Sequence, residues 1–195
     1  MLFIIACHHS EKNLYSFYHE LIPPQIKDSI YLSPSNPPST EKIKPGRYLF
    51  YDNRISINKT KACASSHDPK FSFTDNYGRS IGAYGVLTEH NSTSLINLIF
   101  NRYFTAADTS LHFPEQQINN PMFRDQPVEL GWKGNEEEML KRFSGNKFYQ
   151  QQFNLAFPRE KDPVTVKNIQ QSITSFIKTI SSFQSPYDAD LYHNN

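Results

Sequence analysis

Apolar positions along this chain keep a helical rhythm and never a strand rhythm. Val166, Ile169, Ile173, Phe176, Ile177 and Ile180 step by three or four, apart from the adjacent Phe176–Ile177 pair, and so line one face of a helix predicted over 164–182. Met139, Leu140, Phe143, Phe148, Tyr149 and Phe153 continue the pattern after Asn135, where Glu136, Glu137 and Glu138 put acidic side chains at a helix start. Organised sequence begins near Glu41. The cluster Tyr48-Leu49-Phe50-Tyr51 follows, with Pro45 read in a helix's first turn. Asn91-Ser92 reads as a cap before Leu95, Ile96, Leu98, Ile99 and Phe100, a short buried helix, and Pro114-Glu115 opens another helical turn. Gly78, Gly82 and Gly85 mark an irregular loop, and residues 119–134 read as loop. There is no period-2 segment and no internal repeat. The expected fold is mostly α with long ordered loops, which are typically functional or wrapped around something.

Composition sharpens this. The apolar fraction is only 37% and mean hydropathy is −0.61, yet aromatic residues reach 14%. Such a balance is thin for a self-sufficient core and suits a large apolar cofactor filling part of it; a generally polar composition reads the same way. Twenty basic and 19 acidic residues leave a net charge of +1, so nothing points to nucleic acid. Two cysteines, Cys7 and Cys63, are too few for a disulfide framework. No apolar run approaches the roughly 18 residues that span a bilayer. Prolines 23, 24, 34, 37 and 38 mark residues 1–40 as a leader and linker with one short helix at most. Within it, Ile4-Ile5-Ala6-Cys7 looks like a bacterial lipobox, which makes Cys7 a candidate lipid anchor on an exported, periplasmic protein; a frayed cytoplasmic N-terminus is the alternative. His8-His9 lacks a third ligand nearby and reads as solvated.

The chemistry concentrates in Cys63-Ala64-Ser65-Ser66-His67. A c-type haem-attachment site is C-x-x-C-H, in which two thiols add to the haem vinyl groups and the histidine ligates the iron. Here Cys63 and His67 stand at the first thiol and the axial imidazole, and Ser66 replaces the second thiol. A buried structural cysteine beside a surface histidine is the competing reading of those residues alone.

The surrounding segments change that balance. In order they are Gly46-Arg47-Tyr48-Leu49-Phe50-Tyr51-Asp52, Arg54-Ile55-Ser56, Cys63 to Pro69, Phe71-Ser72-Phe73-Thr74-Asp75 and Arg79-Ser80-Ile81-Gly82-Ala83. Then come Asn91 to Asn97, Glu115-Gln116-Gln117, Asn120-Pro121-Met122-Phe123, Gln126 to Gly131, Asp162 to Thr165 and Ser185-Pro186-Tyr187-Asp188. Together, over residues 41–188, they resemble the N-terminal haem domain of the bacterial di-haem cytochrome c peroxidase and MauG family. The resemblance implies a cytochrome c-like haem domain, with residues 189–195 starting an inter-domain linker and the second haem domain absent.

It also implies reduction of hydrogen peroxide at haem c, with electrons from a protein such as a small cytochrome c and a separate polypeptide as a source of the second haem domain. His67 matches the axial ligand, Cys63 the single remaining thioether, Glu129 the distal glutamate that moves protons on peroxide, and Gln117 the glutamine that orients it. Asn91 resembles the side-chain ligand of a calcium ion, although calcium needs six to eight oxygens. Ala83 stands where some members hold a displaceable distal histidine, which implies a permanently open iron. Ala106 stands where a tryptophan lies between the haems, and Trp132 reads as packing. Three readings remain open at this stage: a periplasmic haem peroxidase domain, a single-haem electron-transfer module, and a haem-free remnant.

Overall fold

The computed structural model describes residues 22–104 and 108–193. Among them are seven α-helices, joined by short 3-10 turns and long loops: α1 Thr40–Tyr51, α2 Pro114–Gln117, α3 Asn119–Phe123, α4 Glu136–Ser144, α5 Lys147–Ala156, α6 Val166–Ile177 and α7 Pro186–His193. The described residues contain isolated antiparallel bridges but no named strand. This is the mostly α architecture expected from the apolar spacing.

The largest helix–helix contact is α1 on α6. The apolar stripe of α6 buries Ile169, Ile173 and Phe176, and Thr165 caps its start by accepting a hydrogen bond from the Asn168 amide at 3.1 Å. Facing it, α1 buries Leu49 and Phe50 completely, each worth about 1.5–3 kcal/mol of transfer free energy. The axes approach closely because Gly46 has no side chain: a Cβ there would sit 1.8 Å from the Ser172 carbonyl oxygen. The helix starts at Thr40, so Pro45 lies in its second turn rather than its first. There it is buried and gives up one intrahelical hydrogen bond.

Around this seam the thin apolar complement is concentrated rather than spread. Trp132 is fully buried, donates from Nε1 to the Ile55 carbonyl at 2.8 Å and stacks on Phe143 at 6.4 Å. Phe143 meets Tyr149 edge-on at 5.1 Å, and the Tyr149 hydroxyl donates to Asp52 at 2.9 Å. The core between these side chains is packed with the chain's own aromatics.

Several boundaries differ from the expected ones. The pattern from Met139 to Phe153 splits into α4 and α5 at Gly145–Asn146, and the Asn146 side chain caps α5 by accepting from the Phe148 and Tyr149 amides. Residues 119–134 are not all loop, since Asn119–Phe123 is helical. The expected helix around Leu95–Phe100 shrinks to a 3-10 turn at Leu98–Phe100. Asn97 ahead of it is left-handed, with φ 58°, and donates its amide to the Ile180 carbonyl rather than to a helix.

The described part of the proline-rich leader, from Ile22, packs against the domain. Ile22 and Ile99 form a small apolar cluster, and the Tyr31 amide donates to the Ile99 carbonyl at 2.8 Å. Asn36, almost fully buried, donates to Glu115 at 2.7 Å and to the Gln171 carbonyl at 3.0 Å, while its own oxygen accepts from Lys42 at 3.0 Å. Glu115 pairs with buried Lys178 at 2.5 Å. Burial lowers the affinity of Lys42 and Lys178 for their protons, and the Glu115 carboxylate between them opposes this. This network ties α1, α2 and α6 to the leader.

Replacing Gly46 with Ala is expected to lower stability by about 1–3 kcal/mol through overpacking at the Ser172 carbonyl. Urea unfolding of the two proteins checks this; an unchanged midpoint would show that the α1–α6 seam has slack.

Candidate functional site

The Cys63–His67 segment is a single tight turn. Cys63–Ser65 is one 3-10 turn, the Ser65 hydroxyl accepts from the Ala62 amide at 3.0 Å, and the Cys63 carbonyl accepts from the His67 amide at 3.0 Å. Cys63 and Ala64 pack against the main core. Burial pushes the Cys63 thiol up to about 12, so it stays protonated. Immediately after His67 the chain reverses: the Asp68 amide donates to the Thr74 carbonyl at 2.9 Å, with Ser72 and Phe73 both at positive φ. That reversal brings the Phe73 carbonyl 2.9 Å from His67 Nδ1. A carbonyl only accepts, so Nδ1 carries the hydrogen and Nε2 is left with its lone pair. Burial holds the imidazole below its ordinary proton affinity; the Phe73 carbonyl, the Asp75 charge and the Thr93 carbonyl oppose this. The Phe50 ring of α1 lies 6.5 Å away.

A second loop carries Glu129. Its backbone is fixed from three sides: the Leu130 amide donates to the Pro121 carbonyl at 3.0 Å, the Trp132 amide to the Met122 carbonyl at 2.8 Å, and the Ile57 amide to the Leu130 carbonyl at 2.8 Å. The Ala83 amide donates to the Val128 and Glu129 carbonyls, both at 3.1 Å. Gly82 permits this approach, since a Cβ there would lie 2.2 Å from the Val128 carbonyl oxygen. The Ala83 carbonyl in turn accepts from Asn58 at 2.6 Å and Thr60 at 3.2 Å, in the lead-in to the Cys63 turn. Three segments distant in sequence therefore converge. Burial raises the Glu129 carboxyl above its ordinary range, with Arg124 pulling it partly back.

Gln117 is the last residue of α2, directly ahead of the helix whose Pro121 and Met122 carbonyls anchor the Glu129 loop. Its side chain accepts a long local hydrogen bond from Asn120 at 3.4 Å. Asn91 sits in an exposed loop, and among the described residues no three His, Cys, Asp or Glu side chains cluster as a metal set. Cys7, His8, His9 and Ala106 lie outside the described residues, and no described helix is long and apolar enough to cross a membrane. An open cleft of about 580 Å³ lies elsewhere, between α1 and α5, lined by Arg47, Tyr51, Arg54 and Tyr149 among others. Asn58 and Thr60 escaped the sequence reading because a polar residue in a loop carries no periodic signal.

Comparison with known proteins places these features in context. The sequence matches the family described as di-haem cytochrome c peroxidase over residues 40–195. It is 24% identical over 154 residues to methylamine utilization protein MauG of Methylorubrum extorquens, covering 79% of this chain and 42% of that protein. It is 25% identical over 154 residues to cytochrome c peroxidase Ccp of Escherichia coli, covering 78% of this chain and 31% of that protein. Among solved structures, a MauG-like protein associated with microbial copper homeostasis superposes with a TM-score of 0.82 at 34% identity, over 90% of this chain and 49% of that one. The diheme peroxidase BthA of Burkholderia thailandensis shares the fold, with a TM-score of 0.62 at 19% identity, over 82% of this chain and 44% of that one. The chain thus spans about half or less of the length of these relatives.

The raised Glu129 carboxyl has a stability consequence. Below the ordinary value of 4.5 the folded and unfolded chains both hold this proton; as pH rises above it, the unfolded chain releases the proton first and folding loses stability. Glu129→Gln is therefore expected to be more stable than the parent at pH 7, with the gain vanishing below about pH 4.5. Denaturant midpoints across that range check it, and a gain that persists in acid would refute burial as its source.

Proposed function

This chain belongs to the di-haem cytochrome c peroxidase family, and from that premise we propose that it holds one c-type haem at the Cys63–His67 turn and reduces hydrogen peroxide there. The residues present fit such a group. A neutral imidazole with Nδ1 held by a carbonyl is the donor a haem iron takes, and the Phe73 carbonyl fixes its ring orientation. Cys63 supplies one thioether, and Ser66 supplies none. Bound there, the haem would offer peroxide an open iron position and the electrons that cleave its oxygen–oxygen bond.

The chain's own residues handle the protons. With a haem bound, Glu129, desolvated and raised above its ordinary range, would take a proton from one peroxide oxygen and hand it to the other as the bond between them breaks. Gln117 orients the bound peroxide. Ala83, at the position of a displaceable ligand, leaves the iron open. Two electrons and two protons convert each peroxide to two waters, and a small redox protein such as a cytochrome c supplies the electrons. A periplasmic location, a lipid anchor at Cys7, a second haem domain on a separate polypeptide and a calcium ion at Asn91 complete the proposal.

The observation that supports this reading is the pairing of the Ala83 amide with the Glu129 carbonyl, which puts a residue with no ligating side chain beside a half-buried carboxyl. Ser66 favours a second reading, a haem-binding module without turnover. Expression with a cytochrome c maturation system separates the two: the first gives a haem spectrum and peroxide-dependent oxidation of reduced cytochrome c, the second the spectrum alone.

In the matured protein Glu129→Gln is expected to keep the haem spectrum and lose about 10²-fold or more of peroxide turnover; unchanged turnover removes Glu129 from proton transfer. Ser66→Cys is expected to raise the yield of covalently attached haem, read from haem-stained denaturing gels.

A further inference from the structure

The loop from Ser72 to Ser94 runs from the His67 side of the site to Ala83 and back, and it is closed by side chains rather than by secondary structure. At its mouth the Ser94 hydroxyl donates to the Ser72 carbonyl at 2.6 Å. One step inside sits Asp75, only 6% exposed. Its Oδ1 accepts from the Tyr77 amide at 3.2 Å, and its Oδ2 accepts from the Ser80 hydroxyl and, at 3.4 Å, from the Ser92 hydroxyl. Ser80 and Ser92 are themselves 2.7 Å apart. The far half of the loop hangs from Ser80: its carbonyl accepts from the Thr88 amide at 2.8 Å, and its amide donates to the His90 carbonyl at 3.1 Å. Burying a carboxylate is costly unless hydrogen bonds satisfy it, and here three donors from three points of the loop do so.

The positions adjoining this hub are the ones that touch the site. Phe73, two residues before Asp75, supplies the carbonyl on His67 Nδ1. Ala83, three residues after Ser80, pairs with the Glu129 backbone. We infer that Asp75 is a positioning residue that locks this loop, so that one carboxylate sets both the orientation of the His67 imidazole and the seating of Ala83 against Glu129. The inference rests on the proposed haem and peroxide reading for its purpose, though not for its geometry. The Asp75 charge also acts on the imidazole, and with a haem bound it would strengthen the ring's donation to the iron and lower the reduction potential.

Amide hydrogen exchange on the full chain tests the lock. In Asp75→Asn the Asp68 amide, beside His67, and the Ala83 amide are both expected to exchange about tenfold faster or more, as follows from losing a buried charge-assisted hydrogen bond. Faster exchange confined to residues 75–80 would overturn the inference. Ser80→Ala, which removes one donor and keeps the charge, is the second variant should Asp75→Asn fail to fold, and it is held to the same pair of amides. In the haem-loaded protein Asp75→Asn is expected to raise the reduction potential and Ser80→Ala to leave it nearer the parent; equal potentials in all three would remove the charge role. Neither measurement reads peroxide turnover. Coupled exchange without turnover would sink the peroxidase reading alone, and turnover without coupled exchange would sink the lock alone.

Discussion

The close seating of α1 on α6 is the constraint on which the other features depend. Gly46 lets the Ser172 carbonyl come within a distance no side chain would allow, and that approach turns Phe50 inward, where its ring lies 6.5 Å from His67 and 5.2 Å from Phe176. From α6 and the residue that caps its end, Gln171, Thr174 and Lys178 reach Asn36 and Glu115, which hold the leader and α2 in place. From α2 the chain passes directly to α3, whose carbonyls hold the loop of Glu129. The two sides of the candidate site are thus tied to one helix pair, and a change in its spacing reaches both.

Desolvation sets the chemistry of the site more than any charge partner does. It is the leading influence on Cys63, His67 and Glu129 alike, and in each case it favours the neutral form: thiol, imidazole and carboxyl. Neutral imidazole is the ligand form of histidine, and a carboxyl shifted upward is the form suited to handing a proton back. Buried charge occurs elsewhere, in the Lys42–Glu115–Lys178 network and at Asp75, and in both places donors from more than one point of the chain reach the carboxylate.

Much of the helical core could be read directly. The stripe from Val166 to Ile177 and the acidic start at Glu136 are local signals, and the structure places helices on both. Where the reading slipped, a long-range contact had overruled a local preference. The apolar run from Leu95 to Phe100 has the composition of a helix, but Asn97 bonds Ile180 instead. The prolines from Pro23 to Pro38 suggest a linker, but Asn36 and Ile22 are drawn into the domain by partners about 80 to 140 residues away.

By itself the sequence determined the helical class and the family and singled out the candidate groups, because spacing and residue type are local properties that survive without a fold. It named Cys63, His67 and Glu129, but it contained no sign that Ala83 and Glu129 share a backbone pairing or that Phe73 turns its carbonyl to His67. Those facts depend on loops whose courses are set by single buried side chains and by glycines such as Gly82. A loop has no repeat to betray its path. Its geometry exists only once distant segments have packed and each buried donor has found its acceptor.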